Sequence, residues 1–380
     1  MIATCLGILS CLVWIYLSAA RGRFWRVSHQ PPQAVPEPAC APAVAVIVPA
    51  RNEADVIAQS IQSLRAQTYT GKLHIFVVDD QSSDATAAVA RRAGEGEGAP
   101  LTLVSSSPLP AGWTGKMWAC HQGVQLASEL GPDYFLFTDA DIVHAPDSVR
   151  SLVGLAQAGN RDLVSMMVKL RCDSLAERAL IPAFVFFFFM LYPPEWVNSA
   201  AHNTAAAAGG DILVRAEALA RIGGLSAIRG ELIDDCALAR EIKRTGRIWL
   251  GLTEGVRSIR PYGSFGVIGG MISRNAFYQL RHSGWLLAGT ILGLGITYVA
   301  PPVLFFLGGW ATLAGAAAWL LMTITFLPMV RFYSLSPLWA PALPLIAVFY
   351  AGATIHSAVR FWLGRGGEWK ERIQDTRARV

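Results

Sequence analysis

Tyr134-Phe135-Leu136-Phe137-Thr138 is an almost wholly apolar run that stops on Asp139-Ala140-Asp141. Such a run reads as a buried strand, and a strand of this kind needs helices to cover its sheet. Its end is exposed at the sheet's carboxyl edge, where ligands of open α/β sheets bind. In a strand-like geometry residues i and i+2 point the same way, which predicts that Asp139 and Asp141 face one ligand together. Two carboxylates so placed suit a hard divalent cation carrying phosphate oxygens. An isolated Asp-x-Asp is common in polar turns, so its surroundings decide its meaning.

Those surroundings repeat the pattern. Between about 43 and 170, β-branched runs at Ala43–Val48, Leu73–Asp79, Leu101–Ser105, Tyr134–Thr138 and Asp162–Lys169 read as strands. Glu53–Gln67, Asp84–Arg92 and Met117–Leu130 read as the helices between them. Strands alternating with helices predict an α/β domain with a mainly parallel sheet. The first strand leads through Pro49-Ala50-Arg51-Asn52-Glu53 into a helix, and the second ends on Asp79-Asp80. Asp84 reads as a cap for the next helix. Asp79 and Asp80 can accept from a base edge or a ribose hydroxyl. Three strands thus bring polar groups to one crevice, two of them as acidic pairs.

Composition enters because the remaining sequence is not that of an ordinary soluble chain. Of 380 residues, 53% are hydrophobic and only 16% charged, which predicts a membrane protein with a substantial polar domain. Residues 2–20 form one apolar run followed by Arg21, Arg23 and Arg26. A signal peptide has its basic residues ahead of the apolar core, so residues 1–22 read as an uncleaved anchor with the next domain cytoplasmic. A Pro-rich linker spans 23–42, and three spans are expected within 283–360 ahead of a basic tail at 361–380. Four spans put that tail opposite the catalytic domain, against the positive-inside rule unless one segment is re-entrant. Residues 179–196 carry prolines near both ends and a Tyr/Trp flank, which favours a segment lying in the membrane interface. The basic residues adjoin apolar segments, which suits anionic lipid rather than nucleic acid. Six cysteines form no CxxC pair and no Cys/His cluster, and read as reduced, unligated thiols.

The order of these motifs resembles a family-2 glycosyltransferase with the GT-A nucleotide-sugar fold. The likeness continues through Gly209-Gly210-Asp211 and Glu231-Leu232-Ile233-Asp234-Asp235. Gly112-Trp113-Thr114-Gly115-Lys116, the Phe-rich run after Pro182 and the C-terminal spans are similar to the hopanoid-biosynthesis-associated glycosyltransferases of bacteria, relatives of the ceramide glucosyltransferases. This resemblance implies a GT-A domain over 43–282 at the bacterial inner (cytoplasmic) membrane. It implies that Pro49, Arg51, Glu53 and Asp80 surround the uridine of a UDP-sugar, and that Asp139 sits near the ribose and the metal. Asp141 would ligate Mg²⁺ or Mn²⁺, and Asp235 would be the catalytic base for transfer to a membrane lipid such as a hopanoid or ceramide-like lipid. The family more often has Glu where this chain has Asp234. Its Gln/Arg-x-x-Arg-Trp element is reduced here to Met271-Ile272-Ser273-Arg274-Asn275, or to Gln279-Leu280-Arg281-His282. The resemblance then implies Arg274 as the diphosphate contact that is left.

The chemistry required is consistent with those roles. A nucleoside diphosphate leaves with negative charge, which a divalent cation neutralises. One carboxylate on the opposite face deprotonates the acceptor and the anomeric centre inverts. Lys116 either faces the phosphates or is a solvated residue at a helix start. Trp113 either packs or stacks on sugar, and His121 and His202 read as ordinary polar residues. Competing readings are a processive polysaccharide synthase, which needs more spans, and a non-catalytic nucleotide-sugar-domain scaffold. The sugar, the acceptor lipid and the oligomeric state are not encoded in any motif.

Overall fold

The computed structural model describes residues 1–27, 41–369 and 372–373. Pro31, Pro32, Pro36 and Pro38 of the linker, Cys40 and most of the basic tail lie outside the described residues. In chain order the elements are α1 (Ile2–Ala19), β1 (Val44–Ala50), α2 (Ile57–Arg65), β2 (Leu73–Asp79), α3 (Thr86–Ala93), β3 (Leu101–Ser105), α4 (Gly115–Ser128), β4 (Tyr134–Phe137), β5 (Ile142–His144), α5 (Ser148–Ala158) and β6 (Leu163–Lys169). They continue as α6 (Leu175–Leu191), α7 (Pro194–Val197), β7 (Ile212–Arg215), α8 (Ala216–Arg221), α9 (Asp234–Lys243), β8 (Ile248–Ser258), α10 (Phe265–Gln279), α11 (Gly284–Leu294), α12 (Ala300–Phe305), α13 (Gly309–Phe332) and α14 (Leu343–Trp362). The chain divides into two compact units. One comprises Met1–Ser28, Cys172–Glu195 and Tyr262–Val380; the other comprises His29–Arg171 and Trp196–Pro261.

The second unit is built on an eight-stranded sheet in the order β3-β2-β1-β4-β7-β6-β8-β5. Its first half is parallel, as the alternation predicts: β1 lies between β2 and β4, and β2 pairs with β3. The second half is mixed, with β6 parallel to β8, so that four of the seven pairings in the sheet are parallel. β7 is antiparallel to both β4 and β6, and β5 is antiparallel to β8. The chain reaches β7 from β6 by way of α6 and α7. It enters beside the carboxyl end of β4, with Ile212 opposite Phe137, and must therefore run the other way. That reversal sets Gly209-Gly210-Asp211 at the edge where β4 delivers Asp139. Every residue of β1 and β4 is buried. Gly123 lets α4 lie close on this face, since a Cβ there would stand 2.9 Å from both Ile47 and Val78.

The other unit holds the apolar helices. Five segments among the described residues are long and apolar enough to cross a membrane: Ile2–Ala19, Leu175–Val197, Gly284–Phe305, Gly309–Phe332 and Pro337–Trp362. They are compatible with membrane association. α6 begins at Leu175 on a capping box formed by Ser174 and Glu177 and runs unbroken through Pro182. Pro182 therefore lies within the helix, whereas Pro193 and Pro194 follow its last residue, Leu191. Its neighbours in the chain set a separate limit. β6 precedes it and β7 follows it in the same sheet, and one sheet cannot have strands on both sides of a bilayer.

Backbone satisfaction explains how α1 is held. Between α11 and α12 lies a π-helical turn over Gly295–Val299, followed by Pro301 and Pro302. The Ala300 N–H turns back to the Gly295 carbonyl, and Pro301 has no N–H, which strips the carbonyls of Ile296 and Thr297 of their helical donors. Ser10 Oγ donates to the first at 2.6 Å and Trp14 Nε1 to the second at 2.8 Å. Away from water such carbonyls cost several kcal/mol each if left bare, so this pairing fixes the register of α1.

Candidate active site

Two loops at the carboxyl edge are stapled together. After β1, Arg51 Nη1 donates to the carbonyls of Asp80 (2.6 Å) and Gln81 (3.0 Å). Asn52, at φ +50°, donates its N–H to Ser82 Oγ and accepts from Ser83 N. Asp84 Oδ1 accepts from Thr86 N at 2.9 Å and Oδ2 accepts from Ala54 N at 3.2 Å. Asp84 thus closes a turn at the start of α3 and ties the two loops. Asp79 is buried and its Oδ1 has no hydrogen-bond partner. A buried carboxylate oxygen without a donor is costly, and a base N–H would relieve it. Asp80 is buried beside it and Pro49 lines the crevice.

Asp139-Ala140-Asp141 is a turn between β4 and β5, with Ile142 N bonded to the Asp139 carbonyl at 3.2 Å. The strand-like geometry expected of the pair is absent, and each acid meets its own cation. Asp139 Oδ1 lies 2.7 Å from Lys116 Nζ. Lys116 stands in the first turn of α4, whose N-cap Thr114 accepts from Met117 N, and also lies 3.9 Å from Asp234. Burial works against the Lys116 charge, yet Asp139 and Asp234 hold its ammonium above the usual lysine range. Burial raises the pKa of Asp139, Lys116 opposes the rise, and the charge of Asp141 adds to it.

Asp141 turns elsewhere. Its Oδ2 accepts from Ser258 Oγ at 2.6 Å and from Arg260 Nε at 3.2 Å. Arg260 Nη2 donates to both carboxylate oxygens of Glu53 at 2.7 Å. Glu53, predicted beside a uridine, is therefore engaged in a buried ion pair. Sequence reasoning missed Arg260 and Ser258. Their only local signal is an Arg-Ser-Ile-Arg run at the end of β8, and both carboxylates lie more than a hundred positions earlier.

Asp235 begins α9. Its Oδ2 accepts from Gly209 N at 2.9 Å and its Oδ1 from Cys236 N at 2.7 Å. A Cβ on Gly209 would stand 3.4 Å from both Asp235 Oδ2 and Lys116 Nζ, so both groups reach over one peptide. Burial, and then the neighbouring Asp234, push the Asp235 carboxyl up to about 6. Lys116, Asp139, Asp234 and Asp235 line one crevice with Pro49 and Gly209. A buried pair lies behind it: His144 Nε2 is 3.6 Å from Asp211 Oδ1, and Thr138 Oγ1 donates to the Gly210 carbonyl. Arg274 is not among these residues; it is exposed on α10 of the other unit. Trp113 packs with Trp118 and His121, at centroid distances of 5.2 and 4.7 Å.

No group of three or more His, Cys, Asp or Glu placed to hold a metal occurs among the described residues. The donor set still fits a cation delivered with its ligand. Lys116 and Arg260 each engage one oxygen of Asp139 and Asp141, which leaves one oxygen on each. Mg²⁺-type ions are commonly bound by one or two carboxylates plus substrate phosphates.

Residues 45–223 match the family model described as glycosyl transferase family 2. A 4,4'-diaponeurosporenoate glycosyltransferase of Staphylococcus haemolyticus is 35% identical over 99 residues, 26% of this chain and 24% of the relative. An N-acetylglucosaminyltransferase of Rhizobium leguminosarum bv. viciae is 35% identical over 112 residues, 29% of this chain and 24% of the relative. The chain thus spans about a quarter of the length of these curated relatives. The solved structure of a mannosyltransferase from Pyrobaculum calidifontis, in complex with GDP-Man and Mn2+, aligns over 96% of this chain and 99% of its own, with a TM-score of 0.59 at 18% identity. That likeness shows a shared GT-A fold. Over residues 45–223 the chain is therefore similar to the glycosyl transferase family 2 proteins.

Proposed function

We propose that the protein transfers a sugar from a nucleoside-diphosphate sugar, with UDP as the carrier, to a hydroxyl of a membrane lipid, inverting the anomeric centre. The observation that carries this reading is Asp235, a carboxylate with both oxygens oriented by backbone N–H groups across one crevice from Lys116 and Asp139. A residue outside the segment matched by the family model thus completes an acid-lined edge within it.

In this reading Asp79 accepts from the base, and the stapled loops of Arg51, Asn52 and Asp80 hold the nucleoside pocket in shape. Lys116 leaves Asp139 to meet the diphosphate. Asp141, with Asp139, would hold a Mg²⁺ or Mn²⁺ ion, which supplies neutralising charge to the leaving diphosphate. Asp235 takes the proton of the acceptor hydroxyl as its oxygen bonds to the anomeric carbon. The bond from that carbon to the phosphate oxygen breaks, and nucleoside diphosphate departs from the opposite face. Base catalysis of this kind is worth about 10²–10⁴-fold. The apolar helices support a lipid acceptor of the hopanoid or ceramide-like class, with α6 lying in the interface rather than crossing.

The test uses the full chain in detergent with UDP-sugars and extracted membrane lipids, read by mass spectrometry for a lipid heavier by one sugar. Asp235→Asn should abolish the product while calorimetry still detects donor binding. Product formation by Asp235→Asn at the wild-type rate would remove the base assignment.

A further inference from the structure

A second cavity, of about 680 Å³, opens in the sheet-bearing unit, and its charge is one-sided. Arg161, Arg240, Lys243, Arg244 and Arg247 line it together with His202, and no Asp or Glu does. The nearest acids are already neutralised. Asp162 pairs with Arg215 and Arg221 at 3.1 Å each, and Glu241 pairs with Arg244 at 2.6 Å.

The cavity is a built feature rather than a solvated face. Lys243 Nζ donates to the carbonyls of Trp196, Val197 and Thr204 at 3.1, 2.7 and 2.6 Å, pegging the loop that forms one wall. Asn198 pins the same loop to β8 through paired hydrogen bonds with the Leu250 backbone at 2.7 and 3.0 Å. Trp196 and His202 stack across it at 5.1 Å. Arg161 is held over the Trp249 ring at 5.5 Å while its Nη1 donates to the Leu155 carbonyl. Arg240 and Arg247 are different: both are exposed, and their guanidinium groups have no ion pair or hydrogen bond among the described residues. Cations near a helix C-terminus gain modestly from its dipole, but Arg247 lies beyond the end of α9 and two free forks on one concavity are not explained by that.

We propose that this cavity binds a phosphate-bearing anion through Arg240 and Arg247. Guanidinium is the side chain suited to bidentate phosphate recognition, and the peg at Lys243 and the pin at Asn198 keep the walls in place before the ligand arrives. The same chemistry is offered by the headgroup of an anionic lipid and by a free phosphate, and the site stands apart from the proposed transfer reaction.

The experiment takes the full-length chain in neutral detergent doped with equal amounts of phosphatidylglycerol and phosphatidylcholine, and counts retained lipid by native mass spectrometry. A parallel titration uses inorganic phosphate. The Arg240→Ala/Arg247→Ala protein should lose about thirtyfold in affinity for the anion, two cations each contributing about 1 kcal/mol near an anionic surface. Arg91→Ala/Arg92→Ala, two exposed arginines on α3, should bind as wild type and controls for general charge. Loss confined to phosphatidylglycerol identifies a lipid headgroup; loss confined to inorganic phosphate identifies a soluble anion. The proposal is overturned if neither ligand binds, if Arg240→Ala/Arg247→Ala binds as wild type, or if the α3 control loses as much.

Discussion

Replacing Arg260 by alanine should destabilise the sheet-bearing unit more than any loss of its exposed arginines. Arg260 bridges Glu53 at 2.7 Å and Asp141 at 3.2 Å. Glu53 and Asp141 are 8% and 7% exposed, whereas the arginine side chain is 29% exposed. Removing one partner of a buried pair typically costs about 3–5 kcal/mol, because a buried charge is left uncompensated. Partial exposure of Arg260 reduces this to roughly 2–4 kcal/mol after screening. For a unit of this size each kcal/mol moves the melting temperature by about 2–4 °C, so a loss near 3 kcal/mol lowers it by about 6–12 °C. Thermal unfolding of the full chain in detergent, followed by intrinsic fluorescence, measures the shift. Arg260→Lys should recover only part, since one ammonium cannot reproduce the fork that spans both carboxylates. A shift under about 2 °C for Arg260→Ala, or full recovery by lysine, would show that the bridge is not what holds β8 to the loop after β1.

The proposed base gives a pH prediction. Transfer needs Asp235 ionised, so kcat/KM should rise with pH through about 6 and then level off. Asp234→Asn removes a charge that raises the Asp235 pKa, and should move that acid limb to lower pH; an unmoved limb would separate the two residues. Asp141→Asn should weaken donor binding in the presence of Mn²⁺ and leave metal-free donor binding nearly unchanged, as read by calorimetry. Gly123→Ala forces a methyl to within 2.9 Å of Ile47 and Val78, and overpacking of this kind should cost about 1–3 kcal/mol in a denaturant titration.

What the sequence determined is what short-range pattern can encode. The β-branched runs became β1, β2, β3, β4 and β6 within two residues of their expected bounds, because burial on both faces and intervening amphipathic helices are local properties. The acids at the ends of β2 and β4 followed from the rule that strand ends meet at one edge, whereas Lys116 was left open between the phosphates and solvent and Asp235 came from the family resemblance alone. Pairings between distant positions were decided only by the tertiary structure. Nothing in the periodicity around Arg260 announces Glu53, 207 positions earlier, or Asp141, 119 positions earlier. Nor does the Gly209-Gly210-Asp211 stretch reveal that β7 runs against β4, since direction is set by where the chain re-enters the sheet. The Asp139–Asp141 pair shows the boundary most clearly. Its two acids were expected to face one ligand together, but a turn replaced the expected strand, and Lys116 and Arg260, brought in by other elements, each pair with one of the carboxylates.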